Sequence, residues 1–276
     1  MKISTWLKYS KKILSHLENP LLDSEVLLSH VIKKTRTWIN IFDDYILNIY
    51  EIFLLKKLLI RRFYREPIAY IIKKKEFWSL SLIVTKDTLI PRPETEILVE
   101  QSLLRILKYD NVLDLGTGCG AVSLSIAFEE RSCNVFGIDY NRKSIHIARK
   151  NAKNLNLKNV CFFFSNWFST IQNKFNIIVS NPPYISIDEI YYLKRDVKFE
   201  PYFSLISKNF GMSSFEHIIS HAPNYLLYGG WLLLEHSPWQ KFKIMKLLKK
   251  NGFFNITTYK DYIGYDRVTV GQKLNI

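Results

Sequence analysis

From residue 111 onward the chain repeats one unit: a short apolar run, a helical stretch, then another apolar run. The runs are NVLDL at 111–115, NVFGID at 134–139, VCFFF at 160–164, NIIVS at 176–180 and GWLLLEH at 230–236. Helical segments are expected in the intervals between the first four, as in SIHIARKNAKNL at 144–155. Strands that are apolar on both faces and joined by helical crossovers belong to a parallel sheet covered on each side. GFFNITTY and DRVTVGQ would close the chain as a final strand pair. The expectation is an α/β fold built on a doubly wound, mostly parallel, seven-stranded sheet.

The 276 residues allow about two domains. Ile3, Trp6, Leu7, Ile13, Leu14 and Leu17 lie at helical spacing, and Pro20 is expected to stop that helix. A second helix is expected from Asp23 or Ser24 as N-cap through Val26, Leu27, His30 and Val31. A third runs from Ile49 through Ile52, Phe53, Leu59 and Phe63 to Pro67. Residues 1–66 thus read as a small helical domain, too small to be a catalytic core alone. In YIIKKKEFWSLSLIVT an apolar run, a basic turn and alternating residues from Phe77 to Val84 suggest a β-hairpin linker over 67–90. The α/β domain would occupy 91–276, entered through LIPRPETE and a helix near Glu96–Lys108.

VLDLGTGCGAVSLSIA is a strand, a glycine loop and a helix, and Gly116, Gly118 and Gly120 fill three of five consecutive positions in a chain with only 10 glycines. Such a loop turns with positive φ or lets a ligand approach its backbone. A dinucleotide fingerprint needs its third glycine one residue later, which disfavours a pyrophosphate. Asp139 ends the second strand, where a carboxylate can accept both ribose hydroxyls of an adenosine. The pair suits an adenosine without phosphates, S-adenosylmethionine; the plainer reading has Asp139 capping a helix that begins near Asn141. Asp114 either caps the loop or reaches the methionine amine through water. Asn166 and Trp167, just past the third strand, are placed for an adenine, or Trp167 is simply a core residue.

The fourth run ends abruptly in Asn-Pro-Pro-Tyr, residues 181–184. Two prolines fix two φ angles, so Asn181 and Tyr184 sit on a stiff tip. Ligands of open α/β sheets bind beyond the carboxyl ends of the strands, which puts this tip beside the glycine loop. An NH2 group on an sp2 carbon needs two acceptors, and the Asn181 side-chain carbonyl and the Pro182 backbone carbonyl supply them while the Tyr184 ring packs on the flat group. Asn181, Pro182 and Tyr184 are therefore the candidate catalytic residues. No strong base is required, and His217, His221 and His236 read as packing or surface residues.

Composition narrows the rest. With 47% hydrophobic and 23% charged residues, wholesale disorder is excluded. No apolar run approaches the ~18 residues of a membrane span, and Lys8, Lys11 and Lys12 interrupt any signal-peptide core. Cys119, Cys133 and Cys161 make an odd set without Cys-x-x-Cys spacing, against a disulfide framework or a zinc site; the expectation is a cytoplasmic protein without a metal. Of the net charge of +14, residues 1–75 contribute +8, from 15 Lys and Arg against 7 Asp and Glu. That excess marks a docking surface, with a nucleic acid possible but not required, or a compositional drift toward lysine.

REPIAYII, EFWSL, LIPRPETEILVE, VLDLGTGCGAVSLSIA, SNWF, IIVSNPPYI, DVKFEP, LLLEH and DRVTVG, in this order from Arg65 to Gly271, resemble the peptide chain release factor glutamine methyltransferases of the PrmC/HemK type. The resemblance implies a class I S-adenosylmethionine-dependent methyltransferase that methylates the side-chain amide nitrogen of the glutamine in the Gly-Gly-Gln motif of class 1 release factors, its partners. It also implies that Gly116, Thr117, Gly118, Cys119, Gly120, Asp139, Trp167 and Asn181 contact the methyl donor. Asn181, Pro182, Pro183 and Tyr184 would hold the glutamine, and the helical domain would engage the release factor elsewhere. Lys73 and Ser79 stand where the family has glycines around the hairpin, Asn166 where it has aspartate, and Ser237 and Pro238 alter the stretch after LLLEH. Two rival readings are a nucleic-acid amino methyltransferase, since the same tip can grip a flipped base, and a non-catalytic release-factor adaptor.

Overall fold

The computed structural model describes residues 1–274; the last two residues of the expected α/β domain, 275 and 276, lie outside it. The chain forms two compact units, Met1–Lys74 with Lys194–Phe199, and Lys75–Leu193 with Glu200–Ile276.

The first unit is helical, with helices Ile3–Ile13, Pro20–Ile32, Arg36–Ile41, Ile49–Phe63 and Ile68–Ile72. Trp6, Leu14, Leu28, Ile39, Leu55 and Leu59 form its core. Pro20 does not end the first helix, which already stops at Ile13. It is the first residue of the second, after Asn19 at the N-cap position, because a proline's missing N–H costs nothing in a first turn. Asp23, expected as a cap, lies inside that helix and receives Arg62 Nε at 2.6 Å. The short helix Arg36–Ile41 was not anticipated; Thr35 caps it by accepting the Trp38 N–H. Helix Ile49–Phe63 opens with a reciprocal Asn48–Glu51 capping box. Its buried face is Leu55, Leu59 and Arg62, while Ile49, Phe53 and Phe63 face outward. Arg62 also donates from Nη1 to Asp196 at 2.8 Å, which holds residues 194–199 on this unit.

The second unit carries a hairpin, β1 (Lys74–Phe77) and β2 (Leu80–Ile83), and a seven-stranded sheet: β3 (Asn111–Leu115), β4 (Asn134–Asp139), β5 (Val160–Phe164), β6 (Phe175–Ser180), β7 (Leu226–Glu235), β8 (Phe253–Lys260) and β9 (Asp266–Lys273). The hairpin turns at Trp78-Ser79 rather than at the lysines, and residues 68–72 are helical. Trp78 and Ser79 have φ of +51° and +57°, the two left-handed residues that a two-residue hairpin turn requires. Lys73, at φ +58°, ends the preceding helix. Lys73 and Ser79, the two positions where the resemblance led to an expectation of glycine, thus adopt backbone that glycine takes without strain. Ser79→Gly is expected to stabilise the chain by about 0.5–1 kcal/mol, read as a higher urea midpoint; an unchanged midpoint would mean that the turn carries no strain.

Strand order in the large sheet is β5-β4-β3-β6-β7-β9-β8, parallel except for β9. Helices Ala121–Glu129 and Arg142–Asn154 make the first two crossovers. The expected helix between β5 and β6 is absent: residues 165–174 are turns. Ser165 locks them there, its hydroxyl donating to Trp167 O at 2.6 Å and accepting from Thr170 N at 3.3 Å, with Trp167 at φ +49°. At this connection the chain leaves the β5 edge and returns to the other side of β3. It thereby makes β3 and β6 neighbours at the centre of the sheet, paired Leu115 to Ser180.

Candidate active site

Two loops leave the carboxyl ends of these paired central strands. Ser180 Oγ donates to Leu115 O at 2.7 Å, so the glycine loop and the Asn-Pro-Pro-Tyr tip spring from a single cross-strand pair.

The glycines do different jobs. Gly116 and Gly118 have φ of +77° and +58°, and a side-chain carbon on either would meet only open space, so the loop's outer face is clear. Gly120, at φ +88°, is held inward against Leu124 and Phe162. Four of the five loop amides are already committed: Gly116 N and Thr117 N donate to Ile138 O, Gly118 N to Asp139 Oδ2 at 2.9 Å, and Gly120 N to Thr117 O. A pyrophosphate cradle needs such N–H groups free, whereas a ligand without phosphates does not. The Thr117 side chain turns inward, its hydroxyl on Asp114, and Cys119 is buried, its thiol pushed up to about 12 by burial. Thr117 and Cys119 therefore offer a ligand their backbone only. Asp114 is buried and accepts the Thr117 and Ser123 hydroxyls, at 2.7 and 2.6 Å, which matches the loop-capping alternative. Burial raises its pKa to about 6.

Asp139 takes the capping role considered for it. Its Oδ2 accepts Gly118 N and its Oδ1 accepts Asn141 N at 2.7 Å, tying the loop to the start of helix Arg142–Asn154. Each oxygen keeps a second lone pair for a ribose hydroxyl. Trp167 is half-buried, packed on the core cluster and beside His217, and Asn166 is exposed.

The tip is clamped from behind. Gln240 Nε2 donates to Tyr184 O at 3.0 Å, and Gln240 is itself set by a capping box with Ser237. Gly211 at φ +78° lets the chain pass so close that a side-chain carbon there would lie 2.2 Å from Tyr184 O. Ile185 N donates to Leu205 O and Ser207 N to Ile185 O. Asn181 and Tyr184 are half-buried and Pro182 is buried. Asn181 Nδ2 donates to Thr95 Oγ1 at 3.2 Å.

Thr95 belongs to PRPETE, whose role the motif alone did not disclose. Arg92 of the same stretch pairs with Glu200 of DVKFEP, and Glu200 also receives Ile90 N at 3.0 Å. Sequence reasoning missed Gly211, Gln240, Thr95 and Glu235. The isolated glycine at 211 and the PRPETE and LLLEH motifs were their only traces. Glu235 ends β7, is buried, and has its pKa raised to about 7. Burial dominates that shift, opposed by the Thr95 hydroxyl, Arg267 and the Tyr184 hydroxyl, and aided by Glu94.

A carboxyl group raised in the folded state contributes stability that is full below the unfolded value near 4.5 and is lost as pH rises through about 7. Glu235→Gln escapes that loss, so the variant's stability relative to the parent should improve by ~3 kcal/mol between pH 4.5 and 8.5. Urea titrations at both values test this; a constant difference would contradict the burial argument. The histidines do not converge on the tip. His236 is buried between Ser237 O and Thr269 Oγ1, its pKa lowered to about 4 by burial, and His217 and His221 stack on one another along helix Ser213–Tyr225. No group of three His, Cys, Asp or Glu among the described residues is placed to hold a metal ion, and no helix among them is long and apolar enough to cross a membrane.

The sheet order, the open glycine loop and the paired tip define a class I S-adenosylmethionine-dependent methyltransferase. A family model described as a methyltransferase domain matches residues 106–269, and one described as the PrmC N-terminal domain matches 5–72. Solved structures agree on the fold: a methyltransferase from Pyrococcus furiosus superposes with a TM-score of 0.56 at 20% identity, covering 80% of this chain and all of that one. The T. thermophilus 16S rRNA N2 G1207 methyltransferase reaches 0.53 at 20% identity, covering 72% of this chain and 49% of that one. Curated relatives go further. The release factor glutamine methyltransferase of Buchnera aphidicola from Acyrthosiphon pisum is 53% identical over 99% of both chains, and that of Escherichia coli is 39% identical over 99% of both. The chain belongs to the release factor glutamine methyltransferase family.

Proposed function

We infer that the protein transfers a methyl group from S-adenosylmethionine to the side-chain amide nitrogen of the Gly-Gly-Gln glutamine in class 1 peptide chain release factors. The observation that carries this reading is the pairing of Leu115 with Ser180, which starts a donor-side loop and an amide-gripping tip side by side. The bound donor supplies one thing, an S-methyl group made electrophilic by its sulfonium charge.

The protein's own residues do the rest. Gly116–Gly120 lend a clear backbone face and Asp139 the remaining lone pairs for ribose, with Trp167 at the adenine end. Asn181 Oδ1 and Pro182 O accept the two amide N–H groups while the Tyr184 ring, braced by Pro183, covers the flat carboxamide. Positioning of this kind is worth ~7–11 kcal/mol of the barrier. The nitrogen proton turns strongly acidic only after the N–C bond has formed and then passes to water, so the lack of a nearby histidine is no obstacle. In the helical unit the exposed Ile41, Ile46, Ile49 and Phe53 support docking of the release factor away from its glutamine.

Labelled S-adenosylmethionine with purified release factor in one tube and bulk RNA and DNA in another tests the reading. Label should enter a single glutamine-bearing tryptic peptide; label entering only nucleic acid would reject it. Asp139→Ala is expected to weaken donor binding by about 10–100-fold in calorimetry, having lost a charge-assisted acceptor and a loop tether. Unchanged affinity would remove the ribose contact.

A further inference from the structure

β4 and β6 flank β3 in the sheet, so a contact between the chain leaving β4 and the chain leaving β6 crosses the end of β3, where the glycine loop begins. Such a contact exists. Tyr140 directly follows Asp139 at the end of β4, and its ring stands edge-on to that of Phe203, with 5.9 Å between centroids and 78° between planes. Phe203 lies in a short helix, Tyr202–Leu205, that is tied to the residue after the tip: Ile185 N donates to Leu205 O at 3.0 Å and Ser207 N to Ile185 O at 2.9 Å. Just upstream, Glu200 anchors the same stretch through Arg92 and Ile90 N. The two rings do not rest on the glycine loop. A side-chain carbon on Gly116 or Gly118 would find nothing within 4 Å, so a slot stays open between that backbone and the rings, at the strand ends where ligands of open α/β sheets bind. Tyr140 is 59% and Phe203 41% exposed, so the pair fills no core. Apolar rings left in water gain by covering a ligand.

We propose that Tyr140 and Phe203 form an aromatic clasp over the ribose of bound S-adenosylmethionine, with Asp139 holding the hydroxyls on one side and the two rings excluding water on the other. A carboxylate–hydroxyl bond is stronger away from water, so the rings reinforce the Asp139 contact as well as adding apolar surface of their own. Parting the edge-to-face pair opens the slot, and the clasp therefore acts on how fast the donor and its demethylated product leave. The inference rests on the donor site and not on the identity of the methyl acceptor, so it is tested without release factor. If the parent does not bind S-adenosylhomocysteine, the donor reading falls and the clasp with it; if it binds, the variants below test the clasp alone.

S-adenosylhomocysteine is bound to the full chain, its affinity read by calorimetry and its dissociation rate by stopped flow. Tyr140→Ala and Phe203→Ala are each expected to weaken binding about 3–10-fold, mostly as faster dissociation, while Tyr140→Phe stays within about twofold of the parent. The double alanine variant should lose no more than about twofold beyond the worse single one, because either truncation already opens the clasp. Both rings are exposed, so the urea midpoints should match the parent's. Unchanged affinity in either single alanine variant would overturn the proposal. So would losses that multiply in the double variant, which would make the rings separate contacts, or losses that track a lowered urea midpoint, which would make them structural.

Discussion

Replacing Asn181 by alanine is expected to lower methyl transfer to release factor by a factor on the order of 10²–10³, while the affinity for S-adenosylmethionine stays close to that of the parent. The factor is that of removing one fixed polar group aimed at the reacting centre of an enzyme. The split between turnover and binding follows from where the side chain is tied. Its NH2 is committed to Thr95 at 3.2 Å, which leaves the carbonyl oxygen as the group to be lost. Truncation also strands the Thr95 hydroxyl in a buried site, a cost of about 1 kcal/mol in stability that a urea titration would show. Single-turnover label transfer and calorimetry on the same preparation separate the two effects. Comparable turnover by the variant would contradict the role assigned to the tip.

The second large effect is expected at a residue far from any motif. Gly211→Ala would bring a methyl group to 2.2 Å from Tyr184 O and 2.9 Å from Gln240 Nε2, at φ +78°. The left-handed backbone alone costs an alanine about 1–2 kcal/mol. The contact cannot be relieved by a side-chain rotation, because the nearest atom is a backbone carbonyl of the tip itself. Either the chain at 211 or the tip must shift, and a 1 Å misplacement of a reacting group is enough to cost ~100-fold in rate. We expect a destabilisation of about 3 kcal/mol or more, together with a collapse of kcat. Gly252→Ala is the control: it has φ +80° but nothing within 4 Å, so it should carry the backbone cost and leave turnover intact. If both variants turn over like the parent, the clamp behind Tyr184 does not hold the tip in place.

These two residues differ in how far they can be read from the chain. Asn181 announces itself, because Asn-Pro-Pro-Tyr after an apolar run is stiff for reasons internal to four residues. Gly211 does not, since its need for a missing side chain arises from Tyr184, 27 positions away. The same division runs through the fold. Five strands and the closing pair follow from apolar periodicity, which is a property of neighbours. The connection at 165–174 does not, because its conformation is decided by a serine bonding the backbone around it and by the need to carry the chain from one edge of the sheet back to its centre. Pro20 and the hairpin turn were misplaced for a related reason: a proline fits a helix's first turn as well as it ends a helix, and a lysine run looks more like a turn than Trp-Ser does.

By itself, then, the order of residues determined the α/β class, the phosphate-free glycine loop and the rigid tip, because each depends on backbone geometry set within a few positions. Only the tertiary structure decided that the two loops share one strand pair, that Asp139 both tethers the loop and keeps lone pairs to spare, and that Thr95 stands behind Asn181. Those are distances between residues 21 to 86 positions apart, and no local rule of spacing or propensity encodes which distant side chain a folded sheet will bring to another.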